Sequence, residues 1–111
     1  MIVAKFGGSS VETGALIAHV VEIMQGQLHR APLVVSSAAG KTTDMLHEAA
    51  QAAESGQDKR AFRTVEHIRS AHLQIASDCL DGQARHMSIE KLEVLTAGLR
   101  QLIQGVSLVR E

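Results

Sequence analysis

Before residue 40 the chain changes its hydrophobic period twice, and that order narrows the available folds more than any other feature. Met1 to Phe6 is a short apolar run, read as a buried strand over about residues 2–6 and ended by Gly7-Gly8. From Thr13 to Gln25, Leu16, Ile17, Val20, Val21 and Met24 recur at three- and four-residue steps, the pattern of one helix face. Gly26 and the single proline, Pro32, punctuate its exit. The β-branched run Leu33-Val34-Val35 then reads as a second buried strand, over about 33–36. Strand, helix and strand with brief connections form a βαβ unit, which dictates parallel pairing and a right-handed crossover.

The remainder is helical. A small-residue loop from Ser36 to Asp44 leads into a helix over 42–54, which Ser55-Gly56 stops. The spacing then predicts a helix over 58–80, where Ala61, Val65, Ile68, His72, Ile75 and Cys79 step by 4, 3, 4, 3 and 4. A last helix is expected over 88–105, with Ser88 as its cap and Leu92, Leu95, Leu99, Leu102 and Val106 as its apolar stripe. These two helices are expected to form an antiparallel hairpin across Asp81-Gly82. The fold class is therefore α/β: a βαβ portion followed by a helical hairpin. Two parallel strands make a narrow sheet, so the layout reads as the front of a larger α/β domain.

Composition removes several functions. At 111 residues the chain is about one small domain, and its net charge of −1 offers no attraction to nucleic acid or an anionic membrane. Phe6 and Phe62 are its only aromatic residues, so platforms for stacking bases are nearly absent. No apolar run approaches the ~20 residues that span a bilayer, and Lys5 with the glycine pair interrupts the N-terminal run too early for a secretory segment. Cys79 is the sole cysteine, which excludes an intrachain disulfide and fits a cytoplasmic location; its place on an apolar stripe reads as packing rather than reactivity.

Two loops carry the candidate chemistry. In Lys5, Gly7, Gly8, Ser9 and Ser10, glycines allow backbone amides close to an anion, and the lysine adds a mobile charge suited to phosphate. The bland alternative is a tight strand-to-helix turn that follows a lysine. In the second loop, Gly40-Lys41-Thr42 matches the end of a P-loop, but that pattern needs a glycine where Val35 stands, so the Walker motif is excluded. What remains is a hydroxyl-rich turn at a strand's carboxyl end, where open α/β sheets bind ligands. Ser37 and Thr43 are candidates to donate to a carboxylate or phosphate, or equally to cap the helix. Lys41 and Asp44 read as a solvated pair. The six histidines show no i, i+4 metal spacing, His72 reads as a hydrogen-bonded packing residue, and G-x-S-x-G is missing.

Together the loops resemble the aspartate kinases of the amino-acid kinase superfamily. Lys5-Phe6-Gly7-Gly8-Ser9-Ser10-Val11 is similar to that family's K-F-G-G-T-S-V signature, with Ser9 where threonine is usual. Val34 to Asp44 is similar to its second block, commonly V-V-S-A-M-G-K-T-T-D. The resemblance implies a three-layer α/β/α domain of which this is the N-terminal portion. It also implies phosphoryl transfer from ATP to the side-chain carboxylate of L-aspartate, at the entry to lysine, threonine and methionine synthesis. By position, Lys5 would be catalytic, neutralising charge on the phosphoryl group. Lys5, Gly7, Gly8 and Ser9 would bind ATP phosphates, and Ser37 and Thr43 the aspartate. Mg²⁺ would be held through the phosphates rather than by residues of this segment, and the complete enzyme is expected to be a homo-oligomer. The family's S-x-G-E block and its regulatory ACT domains have no counterpart here, so the chain alone is expected to be inactive. Two alternatives stand beside this reading: a kinase acting on glutamate or acetylglutamate, and a non-catalytic helical interaction module.

Overall fold

A computed structural model describes residues 1–109. Its strands are β1 (Ile2–Phe6) and β2 (Pro32–Ser36), and its helices α1 (Gly14–Gln25), α2 (Thr42–Glu54), α3 (Asp58–Cys79) and α4 (Gly82–Val109). Short 3₁₀ turns at Gly8–Val11 and Leu28–Arg30 precede α1 and β2. The strands pair in parallel with Lys5 opposite Val35 and Phe6 opposite Ser36, the arrangement a βαβ unit requires. This is a mixed α/β architecture with a two-stranded sheet and a helical majority.

The core lies among the helices, not on the sheet. Ala49, Ala52 and Ala53 of α2, Ala61 and Val65 of α3 and Ile103 of α4 are buried together, with Phe62, Leu99 and Val106 packed against them. Alanines allow the three helices to approach closely, and Val65 is the largest fully buried side chain at their centre. The α3–α4 pair is antiparallel: the Ser107 hydroxyl meets Asp58 at 2.6 Å, tying the end of α4 to the start of α3. Midway, the Arg69 guanidinium makes a two-pronged bond to Glu93, at 2.9 and 2.7 Å, and a third bond of 2.8 Å to Glu66. Those bonds raise the Arg69 pKa above its usual range. The hydrogen bond from Arg69 correspondingly holds the Glu93 carboxyl below the ordinary carboxylate value.

Three expectations need correction. The strands are not buried: Val3 is 63% exposed, Leu33 54%, and Val34 and Val35 46% each, because the helices pack mainly on one another and none packs extensively on the sheet. The last helix begins at Gly82, six residues before Ser88, which lies inside it. Gly82 turns the chain at φ +52, and Asp81 accepts from the Arg85 amide at 3.1 Å, so Asp81 opens the helix. The Arg85 side chain then bonds the Leu80 and Ser77 carbonyls at 2.7 and 2.6 Å, tying this turn to the end of α3. The third correction concerns phase. Leu95 and Leu102 are 68% and 71% exposed, and the face turned inward carries Leu99, Ile103 and Val106. His72 is half-buried on α3 with its Nδ1 2.8 Å from the Ile68 carbonyl, so it is a hydrogen-bonded packing residue.

Candidate active site

The two loops meet at the carboxyl ends of the strands. Just past the last β-ladder pair, the Ser37 amide donates to the Phe6 carbonyl at 3.0 Å, and the Gly40 amide donates to the Gly8 carbonyl at 2.9 Å. Glycine is favoured at residue 8 in this crossing, because a Cβ there would lie 3.0 Å from the Gly40 carbonyl oxygen and 3.2 Å from that of Ala38, tighter than ordinary contact. Gly7 is not so constrained, since a Cβ at that position meets nothing within 4 Å. Gly7 does contribute its carbonyl, which accepts from Ser10 at 3.0 Å and starts the 3₁₀ turn. Such a turn leaves the N–H groups of its first residues, Gly8 and Ser9, without partners inside it.

The second loop passes into α2 through Gly40, whose φ of +52 is a left-handed conformation that disfavours any side chain. The α2 cap is Lys41, which makes no side-chain capping bond. Neither Ser37 nor Thr43 acts as a cap. Thr42, buried at the first position of α2, fastens the turn instead, with its hydroxyl donating to the Ala39 carbonyl at 2.6 Å. Sequence reasoning passed over Thr42 because a hydroxyl bonded back within its own turn has no distinguishing pattern. It passed over Glu12 as well, whose side chain lies against Gly40.

Lys5 sits on β1 opposite Val35 and is exposed, not enclosed in a buried strand end. Among the described residues no ion pair joins Lys5, Lys41, Glu12 or Asp44, so Lys41 and Asp44 do not form the expected pair. The side chains of Ser9, Ser37 and Thr43 are exposed, and within the described residues none of them makes a hydrogen bond. No group of three or more His, Cys, Asp or Glu side chains is arranged to hold a metal ion among the described residues. Among the described residues no helix is long and apolar enough to cross a membrane. The structure thus brings both glycine loops into contact at one end of the sheet, beside an unpaired ammonium and unused hydroxyls. Such an end of a parallel strand pair is where α/β proteins hold ligands.

Fold and loops define a mixed α/β protein whose two glycine loops meet at the carboxyl ends of its strands. The chain belongs to the amino acid kinase family, whose sequence profile matches residues 1–106. It is 31% identical over 94% of its length to bifunctional aspartokinase/homoserine dehydrogenase 2, chloroplastic, of Zea mays. It is 30% identical over 98% of its length to aspartokinase 2, chloroplastic, and 31% identical over 98% to aspartokinase 3, chloroplastic, both of Arabidopsis thaliana. The chain spans 11% of the length of the first of these relatives and 19% of each of the other two.

Proposed function

We propose that this chain contributes the phosphate-side loops of an aspartate kinase. In that reaction a side-chain carboxylate oxygen of L-aspartate attacks the γ-phosphorus of ATP. The bond to the ADP oxygen breaks, and 4-phospho-L-aspartate and ADP leave. The observation that carries the reading is the backbone contact between Gly8 and Gly40, which joins the two loops beside Lys5 in a chain whose relatives are named aspartokinases. Phosphoryl transfer asks a protein for alignment and charge stabilisation more than for covalent chemistry. Lys5 supplies a mobile positive charge for the transferring group. Gly7, Gly8 and Ser9 offer backbone and hydroxyl contacts to the ATP phosphates, and the unused hydroxyls of Ser37 and Thr43 hold the aspartate. Mg²⁺ enters with ATP and is held through its phosphates. We further propose a cytoplasmic location, on the single cysteine, and a homo-oligomeric complete enzyme.

The test is a coupled ADP-release assay on the protein from its complete reading frame, with aspartate and then glutamate as acceptor. Turnover with aspartate is expected; turnover with glutamate alone would move the assignment to another amino-acid kinase, and no turnover with either would favour an interaction module. Lys5→Ala should lower kcat by about tenfold to a thousandfold, the scale of one charge-stabilising group. Parent-like turnover in that variant would take Lys5 out of the mechanism.

A further inference from the structure

We infer that Glu12 is a positioning residue of this site, a latch that holds the aspartate-side loop in place against the phosphate-side loop. The inference rests on the aspartate kinase reading for its kinetic consequence, but its structural content stands on geometry alone. Glu12 closes the 3₁₀ turn that follows Gly8, on the segment leading into α1. Its side chain reaches across to the other loop: a Cβ on Gly40 would stand 3.0 Å from Glu12 Cγ, 3.5 Å from Cδ and 3.4 Å from Oε1. The Glu12 stem therefore occupies the space that a side chain at residue 40 would need.

That space matters because of what Gly40 does. Its left-handed φ of +52 turns the loop into Lys41 and the first turn of α2, where Thr42 is fastened and Thr43 is exposed. The loop's other ties to the phosphate side are the Ser37 and Gly40 amides, both bonded to carbonyls of the first loop. Two backbone bonds fix the separation of the loops but leave a hinge about the line joining them. A side chain packed on the Gly40 turn blocks rotation about that hinge, and thereby sets where the Thr43 hydroxyl stands relative to Ser37. No ion pair competes for Glu12 within the described residues, so its stem is free to serve this contact. The Glu12 atom nearest to a Cβ at residue 40 is the aliphatic Cγ. The latch accordingly works by packing, and glutamine can replace glutamate in it.

Two measurements on the protein from its complete reading frame test this. In steady-state kinetics Glu12→Ala should raise KM for aspartate about tenfold while KM for ATP stays near the parent value, and Glu12→Gln should restore the parent KM. In amide hydrogen exchange, Glu12→Ala should speed exchange at residues 40–43 without changing α3, and Glu12→Gln should not. An unchanged aspartate KM in Glu12→Ala, an equal rise in both KM values, or failure of Glu12→Gln to rescue overturns the latch. If the parent protein ignores aspartate, the aspartate kinase reading fails; the exchange experiment still decides the latch, with parent-like exchange in Glu12→Ala refuting it.

Discussion

Replacing Gly14 by alanine puts two calculable effects in opposition. Gly14 opens α1 and is buried, and nothing in its backbone conformation forbids a side chain. On propensity alone the change should help: alanine is favoured over glycine in a helix by up to about 1 kcal/mol, partly by restricting the unfolded chain. The packing says otherwise. A Cβ at residue 14 would lie 2.5 Å from Asp78 Cβ, 3.0 Å from the Ile75 carbonyl oxygen and 3.1 Å from the Cys79 amide nitrogen. None of these is the free end of a flexible side chain; all belong to the last turns of the 22-residue α3. Restoring ordinary contact near 3.5–4 Å requires α1 to retreat from α3 by about 1 Å, and overpacking of that kind costs about 1–3 kcal/mol, occasionally more. The clash wins, for a net loss of about 1–2 kcal/mol and a fall in Tm of roughly 5–15 °C in a domain of this size. Gly98→Ala is the internal control. It lies in the interior of α4, and a Cβ there meets nothing within 4 Å, so the same substitution should stabilise by about 0.5–1 kcal/mol. Thermal and urea unfolding followed by far-UV circular dichroism measure both. If Gly14→Ala unfolds at or above the parent Tm, or both variants shift the same way, the packing argument at the α1–α3 crossing is wrong.

Other outcomes follow from the same contacts. Gly8→Ala places a Cβ against two carbonyl oxygens of the second loop and should force the loops apart, lowering turnover of the complete protein about tenfold to a hundredfold, while Gly98→Ala, on α4 and outside both loops, stays close to the parent. Equal effects of these two substitutions in a coupled assay would refute the loop contact. The Arg69–Glu93 bond should make stability depend on acid. Because Glu93 titrates below its unfolded value near 4.5, its contribution is present above that pH and is lost as pH falls through the depressed folded value. Glu93→Gln should thus be less stable than the parent at neutral pH, with the gap closing in acid. A gap in urea midpoints that stays constant down to low pH would show that the carboxylate charge contributes nothing.

What could be read from the sequence divides along a physical line. Period and punctuation are local properties, so the βαβ order and the parallel pairing of Ile2–Phe6 with Pro32–Ser36 followed from apolar runs and glycines. Burial is not local. Leu33, Val34 and Val35 have the composition of a covered strand, yet they are about half exposed because Ala49, Ala52, Ala53 and Ala61 draw the helices into a core of their own. The face of α4 was misjudged for a related reason. Leucines at 95, 99 and 102 fit a three-four alternation, but so does a stripe through Leu99, Ile103 and Val106, and only the partner helix decides between them. The start of α4 was missed because Arg85 holds it through carbonyls of the preceding helix, a tertiary contact with no capping motif.

The site obeys the same division, which explains why it was legible at all. Its framework is made of main chain: Phe6 to Ser37, Gly8 to Gly40, and glycines where a Cβ would collide or where φ is positive. Main-chain geometry of that kind restricts residue type severely, so it leaves glycines in the sequence that can be found by inspection. The hydroxyls of Ser9, Ser37 and Thr43 are different, since none is used in holding the loops. Serine can therefore stand at residue 9 where the resembled signature has threonine, because a hydroxyl there has no bond within the protein to disturb. Glu12 falls between these two classes. Its contact with Gly40 restricts the glycine far more than the glutamate, so the sequence displays one half of the latch and hides the other. A residue whose role is to fill the space beside a glycine becomes visible only once the two loops are brought together.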